Sequence, residues 1–280
     1  MTDKQKILAV LAHPDDESFG MGGTLALYAE RGVDVHLICA TRGEVGEMDE
    51  KYMKGFNSIA ERREAELRCA AEKLGLADVH ILGYRDSGMP GSPDNEHPNA
   101  LFAQPVEKVA EQVVGYIRDL KPDVVITFDP IGGYRHPDHI AIHKATVLAF
   151  ENASNAEYAP ETGAPFQPRK LYYHTISKGF LKLAVFFLRL FGKDPTKFGK
   201  NGDIDIASLA KESFPIHARI NIRSTIEKKR AASACHASQG GAQQQKGIRA
   251  LLSRIFEADG FMQAYPPVVD KGRVQRDLLD

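Results

Sequence analysis

Apolar runs and polar turns alternate along the first half of the chain. The first run, Ile7 to Ala12, is typical of a strand that is buried on both faces of a sheet. Pro14 cannot continue that strand, so the chain must turn there. The polar residues from His13 to Glu17 are therefore placed at the carboxyl end of a buried strand, where open α/β sheets bind their ligands.

The same pattern recurs downstream. Apolar runs predict three further strands, at 33–40, 79–82 and 124–128. Helical periodicity, with closing glycines such as Gly75, predicts helices at 24–30, 57–74, 104–120 and 137–150. Strands and helices that alternate in this way indicate a parallel sheet with right-handed crossovers.

The second half is less regular. Its pattern predicts strands at 170–176 and 216–222, helices at 179–191 and 224–235, a loop at 240–247 and a last helix at 248–257. We therefore predict an α/β fold, with a Rossmann-like, mostly parallel sheet, helices on both of its faces and a C-terminal extension. In this prediction residues 1–153 form the catalytic core. Residues 154–280 complete the sheet and shape the substrate pocket within one compact domain.

Composition narrows the class of protein. The 280 residues are 43% hydrophobic and 26% charged, which is ordinary for a globular protein with a sizeable core. A net charge of −1 with mixed signs does not indicate a nucleic-acid binder, and we expect no signal peptide. The three cysteines, Cys39, Cys69 and Cys235, lack CxxC spacing, which excludes a thiolate zinc site. They fit a reducing cytosol, so we expect a cytoplasmic protein.

The apolar segment 179–191 has two interpretations. It is too short and too charged to span a bilayer. As a helix it carries Lys178, Lys182, Arg189 and Lys193 in one stripe beside apolar residues. We interpret it as a subunit contact or a lid over the site, in preference to peripheral membrane contact. If the segment is a subunit contact, the protein forms a homo-oligomer.

Two polar clusters carry the candidate chemistry. His13 and Asp16 follow the first strand, and His136-Pro137-Asp138-His139 follows the strand at 124–128. Together they supply His13, Asp16 and His139 as three ligands of a divalent metal, which leaves a fourth position for water, as in catalytic zinc sites. Zinc lowers the pKa of such a water to about 7.

The remaining residues of the two clusters have predicted roles in proton transfer. Asp15 is free of the metal and can act as the general base. Protonated His136 can stabilise a developing oxyanion and then protonate the leaving amine, with Asp138 orienting it. Two alternatives stay open on this evidence. One is a surface turn rich in Asp and Pro, and the other is a sugar- or nucleotide-binding module that uses the glycines at 20–23, although these lack a GxGxxG pattern.

The two motifs, Ala12-His13-Pro14-Asp15-Asp16-Glu17 and His136-Pro137-Asp138-His139, resemble those of the PIG-L/LmbE-like zinc-dependent N-acetylglucosaminyl deacetylases. Tyr84-Arg85-Asp86-Ser87-Gly88-Met89 and Gly132-Gly133-Tyr134 are most similar to the mycothiol-pathway deacetylase and amidase branch. The resemblance implies a Rossmann-like fold, Zn²⁺ with Fe²⁺ as the alternative cofactor, and the metal and catalytic residues given above. It further implies that Arg63, Asp86 and His236 bind the substrate and that Tyr134 lies on the oxyanion side.

We therefore expect a metal-dependent hydrolase that acts on a linear amide. Its substrate is a small molecule that contains N-acetylglucosamine, and the bond it cleaves is the N-acetyl bond. The alternatives are an amidase for a larger acyl conjugate of glucosamine and the non-catalytic binding module.

Overall fold

The computed structural model describes residues 4–176, 178–198, 202, 204–212, 214–241, 257–268 and 273–280. The strands are β1 (Lys6–Leu11), β2 (Asp34–Thr41), β3 (Asp78–Tyr84), β4 (Val124–Phe128), β5 (Lys170–Thr175), β6 (Ala218–Asn221) and β7 (Ala258–Tyr265). The helices are α1 (Asp16–Phe19), α2 (Gly22–Glu30), α3 (Ile59–Leu74), α4 (Val106–Leu120), α5 (Gly132–Arg135), α6 (Pro137–Asn152), α7 (Lys178–Leu190), α8 (Ile206–Leu209) and α9 (Ile226–Cys235).

One mostly parallel sheet runs through these strands in the order β3-β2-β1-β4-β5-β7-β6. β1 lies at the point where the strand order reverses, parallel to both β2 and β4. Because right-handed crossovers that lead in opposite directions from this point lie on opposite faces, the helices divide into two layers. Helices α2, α3 and α9 pack on one another, and α4 packs on α6. The predicted α/β fold is confirmed.

The register of β1 and β4 brings their ends together. Ile7 is paired with Val124 and Ala9 with Ile126, and the Thr127 hydroxyl donates to the carbonyl oxygen of Val10 at 2.9 Å. The apolar side chains of both strands are buried in the central core, as expected for strands covered on both faces. The polar loops that follow β1 and β4 therefore emerge side by side at the switch point of the sheet.

The C-terminal part adds a strand that we did not predict. β7 pairs antiparallel with β5 and with β6, so it lies between these two strands in the sheet. Its buried face includes two polar residues, Asp259 and Gln263, which interrupt the apolar alternation. Residue 257 is not helical, and the rest of the predicted helix at 248–257 lies outside the described residues. The loop predicted at 240–247 lies mostly outside them too. The division at residue 153 stays a prediction.

A disulfide joins Cys69 on α3 to Cys235 at the end of α9, while Cys39 is a buried free thiol. The number and spacing of the cysteines predict reduced thiols, and that prediction does not account for this bond. Cytoplasmic location therefore stays a prediction. The bond ties the two helices of one layer at the point where α9 leads into His236.

Helix α7 is amphipathic and packs its inner side on α8. Leu181 is buried against Ile206 and Leu209, whereas Phe186 and Leu190 are 60% and 63% exposed. No helix among the described residues has the length and apolarity that a bilayer crossing requires. That the exposed side of α7 is a subunit contact stays a prediction.

Candidate active site

The loops after β1 and β4 bring His13 and His139 into contact across 126 residues of sequence. His13 Nδ1 lies 3.2 Å from His139 Nε2, and both rings are almost completely buried. His139 stacks on Phe128, the last residue of β4, with ring centroids 3.9 Å apart. Since Gly132 has no side chain, its loop can approach His139: a Cβ at Gly132 would lie 2.7 Å from that of His139.

In each of these two histidines, the ring nitrogen that points away from the other histidine has a hydrogen-bond partner. His13 Nε2 lies 3.0 Å from Asp138 Oδ2, and His139 Nδ1 lies 3.2 Å from the carbonyl oxygen of Gly132. Both partners are acceptors, so these two ring nitrogens carry the protons. His13 Nδ1 and His139 Nε2 therefore point towards each other, and either a proton or a metal cation can lie between them.

Asp16 supplies the third ligand atom of the predicted set. One carboxylate oxygen lies 3.6 Å from His13 Nδ1 and the other 3.3 Å from His139 Nε2. Ligand atoms on a tetrahedral zinc ion, with bonds of about 2.0–2.1 Å, are about 3.3 Å apart. Each Asp16 oxygen thus lies near this spacing from one of the two imidazole nitrogens, and the donor chemistry of the three side chains suits such an ion.

The wider cluster is rich in metal-binding groups. Within the part of the chain that the structure describes, His13 forms one group with His136 and His139, and another with Asp86, His136 and Asp138, whose ligand atoms lie within 4.8 Å of one another. Because Nε2 of His13 is paired with Asp138, Nδ1 is the nitrogen left for a metal. The carboxylates around His13, that of Asp86 above all, raise its pKa well above the ordinary value against the effect of burial. Surroundings that favour a proton on His13 also favour a metal cation.

Asp15 has a strained backbone conformation. Its φ of 123° is one that a residue with a Cβ rarely adopts. Arg63 Nη2 donates to its carboxylate at 3.0 Å and to the carbonyl oxygen of Pro14 at 2.6 Å. Burial raises the pKa of Asp15 to about 6, and Arg63 opposes that rise. A carboxylate with such a pKa is a proton acceptor at neutral pH.

Glu17 holds the backbone of Asp15 from the other side. Its carboxylate accepts from the Asp15 N–H at 3.0 Å, from Ser18 Oγ at 2.5 Å and from His236 Nε2 at 2.7 Å. Glu17 and His236 are both fully buried. His236, predicted to bind substrate, therefore contacts Glu17 in the structure. The role of Glu17 was not predicted, although the residue closes the first motif.

The structure shows the contacts of His136 and Asp138, whose catalytic roles stay predictions. His136 Nδ1 accepts from the backbone N–H of Asp138 at 3.2 Å, where it caps α6, so this nitrogen carries no proton. Burial, reinforced by His13 and His139, lowers the pKa of His136 to about 2. These surroundings favour the neutral ring, with its proton on Nε2, over the imidazolium. The Asp138 carboxylate was expected to orient His136, but its partners are His13 and Ser87.

The other predicted residues border the same cluster. Tyr134 packs edge-on to His139 and to His136, with ring centroids 4.9 and 5.8 Å apart. Burial raises its pKa, so its hydroxyl keeps the proton. Asp86 lies 3.5 Å from His13 Nε2 and 4.0 Å from Arg63 Nη1. Arg63 is only 4% exposed, and it donates hydrogen bonds to Asp15, Pro14 and Gly43.

Comparison with known proteins relates this site to a family of deacetylases. The model of the family described as PIG-L, GlcNAc-PI de-N-acetylase, matches residues 8–150. The chain is 34% identical over 248 residues to the 1D-myo-inositol 2-acetamido-2-deoxy-alpha-D-glucopyranoside deacetylase of Geodermatophilus obscurus, with 85% of this chain and 84% of that protein covered. It is 36% identical to the deacetylase of the same name from Acidothermus cellulolyticus, with 84% and 80% covered.

A solved structure shows the same fold. The N,N'-diacetylchitobiose deacetylase from Pyrococcus horikoshii superposes with a TM-score of 0.65 at 20% sequence identity. The superposition covers 93% of this chain and 84% of that chain. At this level of identity the likeness concerns the fold alone.

Proposed function

Because the chain belongs to the PIG-L family of GlcNAc-PI de-N-acetylases, we propose that it is a metal-dependent hydrolase that removes the acetyl group from an N-acetylglucosamine-containing small molecule. The observation that carries the proposal is the pair of facing imidazole nitrogens of His13 and His139, beside the Asp16 carboxylate and next to Asp15. The deacetylases that the chain resembles are named for a glucosaminyl-inositol substrate, and we propose a substrate of that kind here.

His13, Asp16 and His139 would hold the metal, for which we propose Zn²⁺, with Fe²⁺ as the alternative. Such a cation supplies Lewis-acid polarisation of the amide carbonyl and activates water at neutral pH. Asp138 and the carbonyl oxygen of Gly132 hold the two imidazoles in the tautomers that leave the inner nitrogens free.

Asp15 removes the proton from the attacking water. The hydrogen bond from its backbone N–H to Glu17 and the contact of its carboxylate with Arg63 hold Asp15 in place. His136 donates a hydrogen bond from Nε2 to the carbonyl oxygen as negative charge develops there. Tyr134 retains its proton and lies beside His136, so its hydroxyl is a second donor for the same oxygen.

The leaving nitrogen must receive a proton. A neutral imidazole is a good hydrogen-bond donor but a weak acid, so His136 is the poorer source. Protonated Asp15 can return to the nitrogen the proton that it took from water, which leaves the carboxylate ready for the next turnover.

The test is acetate release from N-acetylglucosamine and from its inositol glycoside, with protein loaded with Zn²⁺ or Fe²⁺. Wild type should release acetate, and Asp15→Ala should not, although it retains metal. The exposed Asp119 on α4 provides a matched control, since Asp119→Ala should behave as wild type. Full activity of Asp15→Ala would remove Asp15 from the mechanism. Faster cleavage of propionyl or larger acyl groups than of acetyl would favour the amidase.

A further inference from the structure

A cavity of about 240 Å³ shares Tyr134 with the metal-binding cluster. Three separate parts of the chain line it: the loop after β3, the loop after β4, and the segment that contains α8. The lining residues are Met89, Pro90, Tyr134, Arg135, Asp205 and Leu209. Asp205 and Leu209 belong to the C-terminal part of the chain, outside the stretch that the family model matches.

The position and size of the cavity suit one part of a substrate. The ring of Tyr134 lies against His139 and His136, so a ligand in the cavity would be a single side chain away from the reacting amide. Pockets for whole ligands usually measure about 300–1,000 Å³. A volume of about 240 Å³ fits a single six-membered ring rather than a complete disaccharide.

The lining favours an uncharged ring with hydroxyl groups. Met89, Pro90 and Leu209 offer apolar surface to the C–H faces of such a ring. The charge of Arg135 is balanced by Glu212, whose carboxylate lies 3.0 Å from Nη2. Asp205 then adds a negative charge to the lining, and this disfavours a phosphorylated ring, because like charges repel.

Hydrogen bonds and packing join the α8 side of the cavity to the loop that carries His136. Arg135, directly before His136, has a φ of 68°, and its Nη1 donates to Ser208 Oγ at 2.7 Å. Asp205 caps α8 by accepting from the backbone N–H of Ser208 at 2.9 Å. Leu209 is buried in a small cluster that Tyr134 also joins. The α8 segment and the loop that carries His136 thus pack as one unit.

We propose that this cavity is the subsite for the aglycone, the ring to which the N-acetylglucosamine is linked, and that Asp205 and Leu209 select an uncharged, hydroxylated ring there. The proposal rests on the proposed function, because it assigns the second half of a glycosidic substrate. It also predicts a substrate preference: the enzyme accepts an aglycone that is a neutral cyclitol or sugar and rejects one that bears a phosphate group.

The test uses the metal-loaded full chain and three substrates: N-acetylglucosamine, its glycoside with an uncharged cyclitol, and the same glycoside with a phosphate on the cyclitol. The variant is Asp205→Asn, because asparagine caps a helix as well as aspartate does and α8 should survive. Asp194→Asn, an exposed change in the segment between α7 and α8, is the control.

In wild type, kcat/KM should be highest for the cyclitol glycoside and about tenfold lower for its phosphorylated form, the size of effect expected for repulsion between Asp205 and one phosphate. Asp205→Asn should narrow that preference severalfold, whereas Asp194→Asn should leave it as in wild type. The subsite proposal would be overturned if Asp205→Asn lowered kcat/KM equally for all three substrates, or if it left the preference for the unphosphorylated glycoside unaltered.

A binding measurement separates this proposal from the proposed function. Calorimetry with the deacetylated cyclitol glycoside needs no turnover. Weaker binding to Asp205→Asn than to wild type supports the subsite even where no acetate is released, an outcome that would contradict the proposed function alone. Identical affinities, together with acetate release from all three substrates, would leave deacetylation standing and refute the subsite.

Discussion

The imidazole of His236 lies 2.7 Å from the carboxylate of Glu17, although 219 residues separate the two in sequence. Both side chains are fully buried, and the charge of His236 lowers the pKa of Glu17 against the effect of burial. The same carboxylate accepts the N–H of Asp15, whose φ of 123° requires support. The C-terminal turn therefore reaches the proposed base through Glu17.

Glu17→Gln should lower kcat while metal content stays at the wild-type level. A glutamine has one acceptor oxygen and cannot serve the N–H of Asp15 and His236 together. Loss of a hydrogen bond to a charged group costs about 1.5–3 kcal/mol, or about tenfold to a hundredfold in rate. Steady-state kinetics and metal analysis of the purified variant measure both quantities.

The matched control is Glu66→Gln, since Glu66 is also buried and holds the same turn through Ser238 but does not contact Asp15. If Glu17 acts through Asp15, then adding Glu17→Gln to Asp15→Asn should cause no further loss of kcat. A full additional loss in that double variant, or equal effects of the two glutamines, would contradict a positioning role.

Gly43→Ala should abolish most of the activity by displacing Arg63. A Cβ at position 43 would lie 2.0 Å from Arg63 Nη1, and Arg63 holds Asp15. Gly55→Ala is the control, because Gly55 also has a positive φ but open space around its Cβ. Both changes should cost about 1–2 kcal/mol of stability through backbone strain, as measured by chemical denaturation. Comparable activities of the two variants would show that the position of Arg63 does not matter.

Acid should destabilise the protein partly through His174. Burial lowers the pKa of His174 to about 4, from an ordinary value of 6.5. Between these values the unfolded chain binds a proton there and the folded chain does not, so stability falls as the pH is lowered from about 6.5 towards 4. The contribution is at most about 1.4 kcal/mol per pH unit. Denaturant unfolding at pH 7 and pH 5 should show a smaller loss for His174→Gln than for wild type, and equal losses would contradict this assignment.

The Cys69–Cys235 disulfide should contribute to stability. It closes a loop of 166 residues, and native disulfides typically contribute about 2–4 kcal/mol. Reductant should lower the denaturation midpoint of wild type and leave that of Cys69→Ser/Cys235→Ser unchanged. A wild-type midpoint that does not respond to reductant, combined with three free thiols per denatured untreated chain instead of the one of Cys39, would show that the bond does not form.

The sequence was most informative where apolar runs end in chemically distinctive side chains. β1 and β4 could be predicted because their residues are uniformly apolar, and parallel strands deliver their loops to one edge of a sheet. β7 was missed because Asp259 and Gln263 occupy buried positions, where they form hydrogen bonds with residues of other strands and helices. Asp259 accepts from Thr24, and Gln263 bonds to Tyr172. Such partners are set by tertiary packing, which no local pattern reveals.

The roles of individual site residues were harder to predict than their membership of the site. Spacing placed Asp138 beside His136, but the fold turns its carboxylate towards His13 and Ser87. The protonation of His136 depends on which backbone N–H its Nδ1 accepts, and that follows from its place as the cap of α6. The pairing of Cys69 with Cys235 likewise follows from the packing of α3 on α9.

The most direct test of the account compares Asp15→Asn with His139→Ala for both bound metal and acetate release. Asp15→Asn should retain a single metal ion per chain and lose deacetylation, because the proposed base is separate from the proposed ligands. His139→Ala should lose both. Wild-type metal affinity in His139→Ala, or wild-type acetate release by Asp15→Asn, would contradict the central claim that His13, Asp16 and His139 hold a catalytic cation beside Asp15.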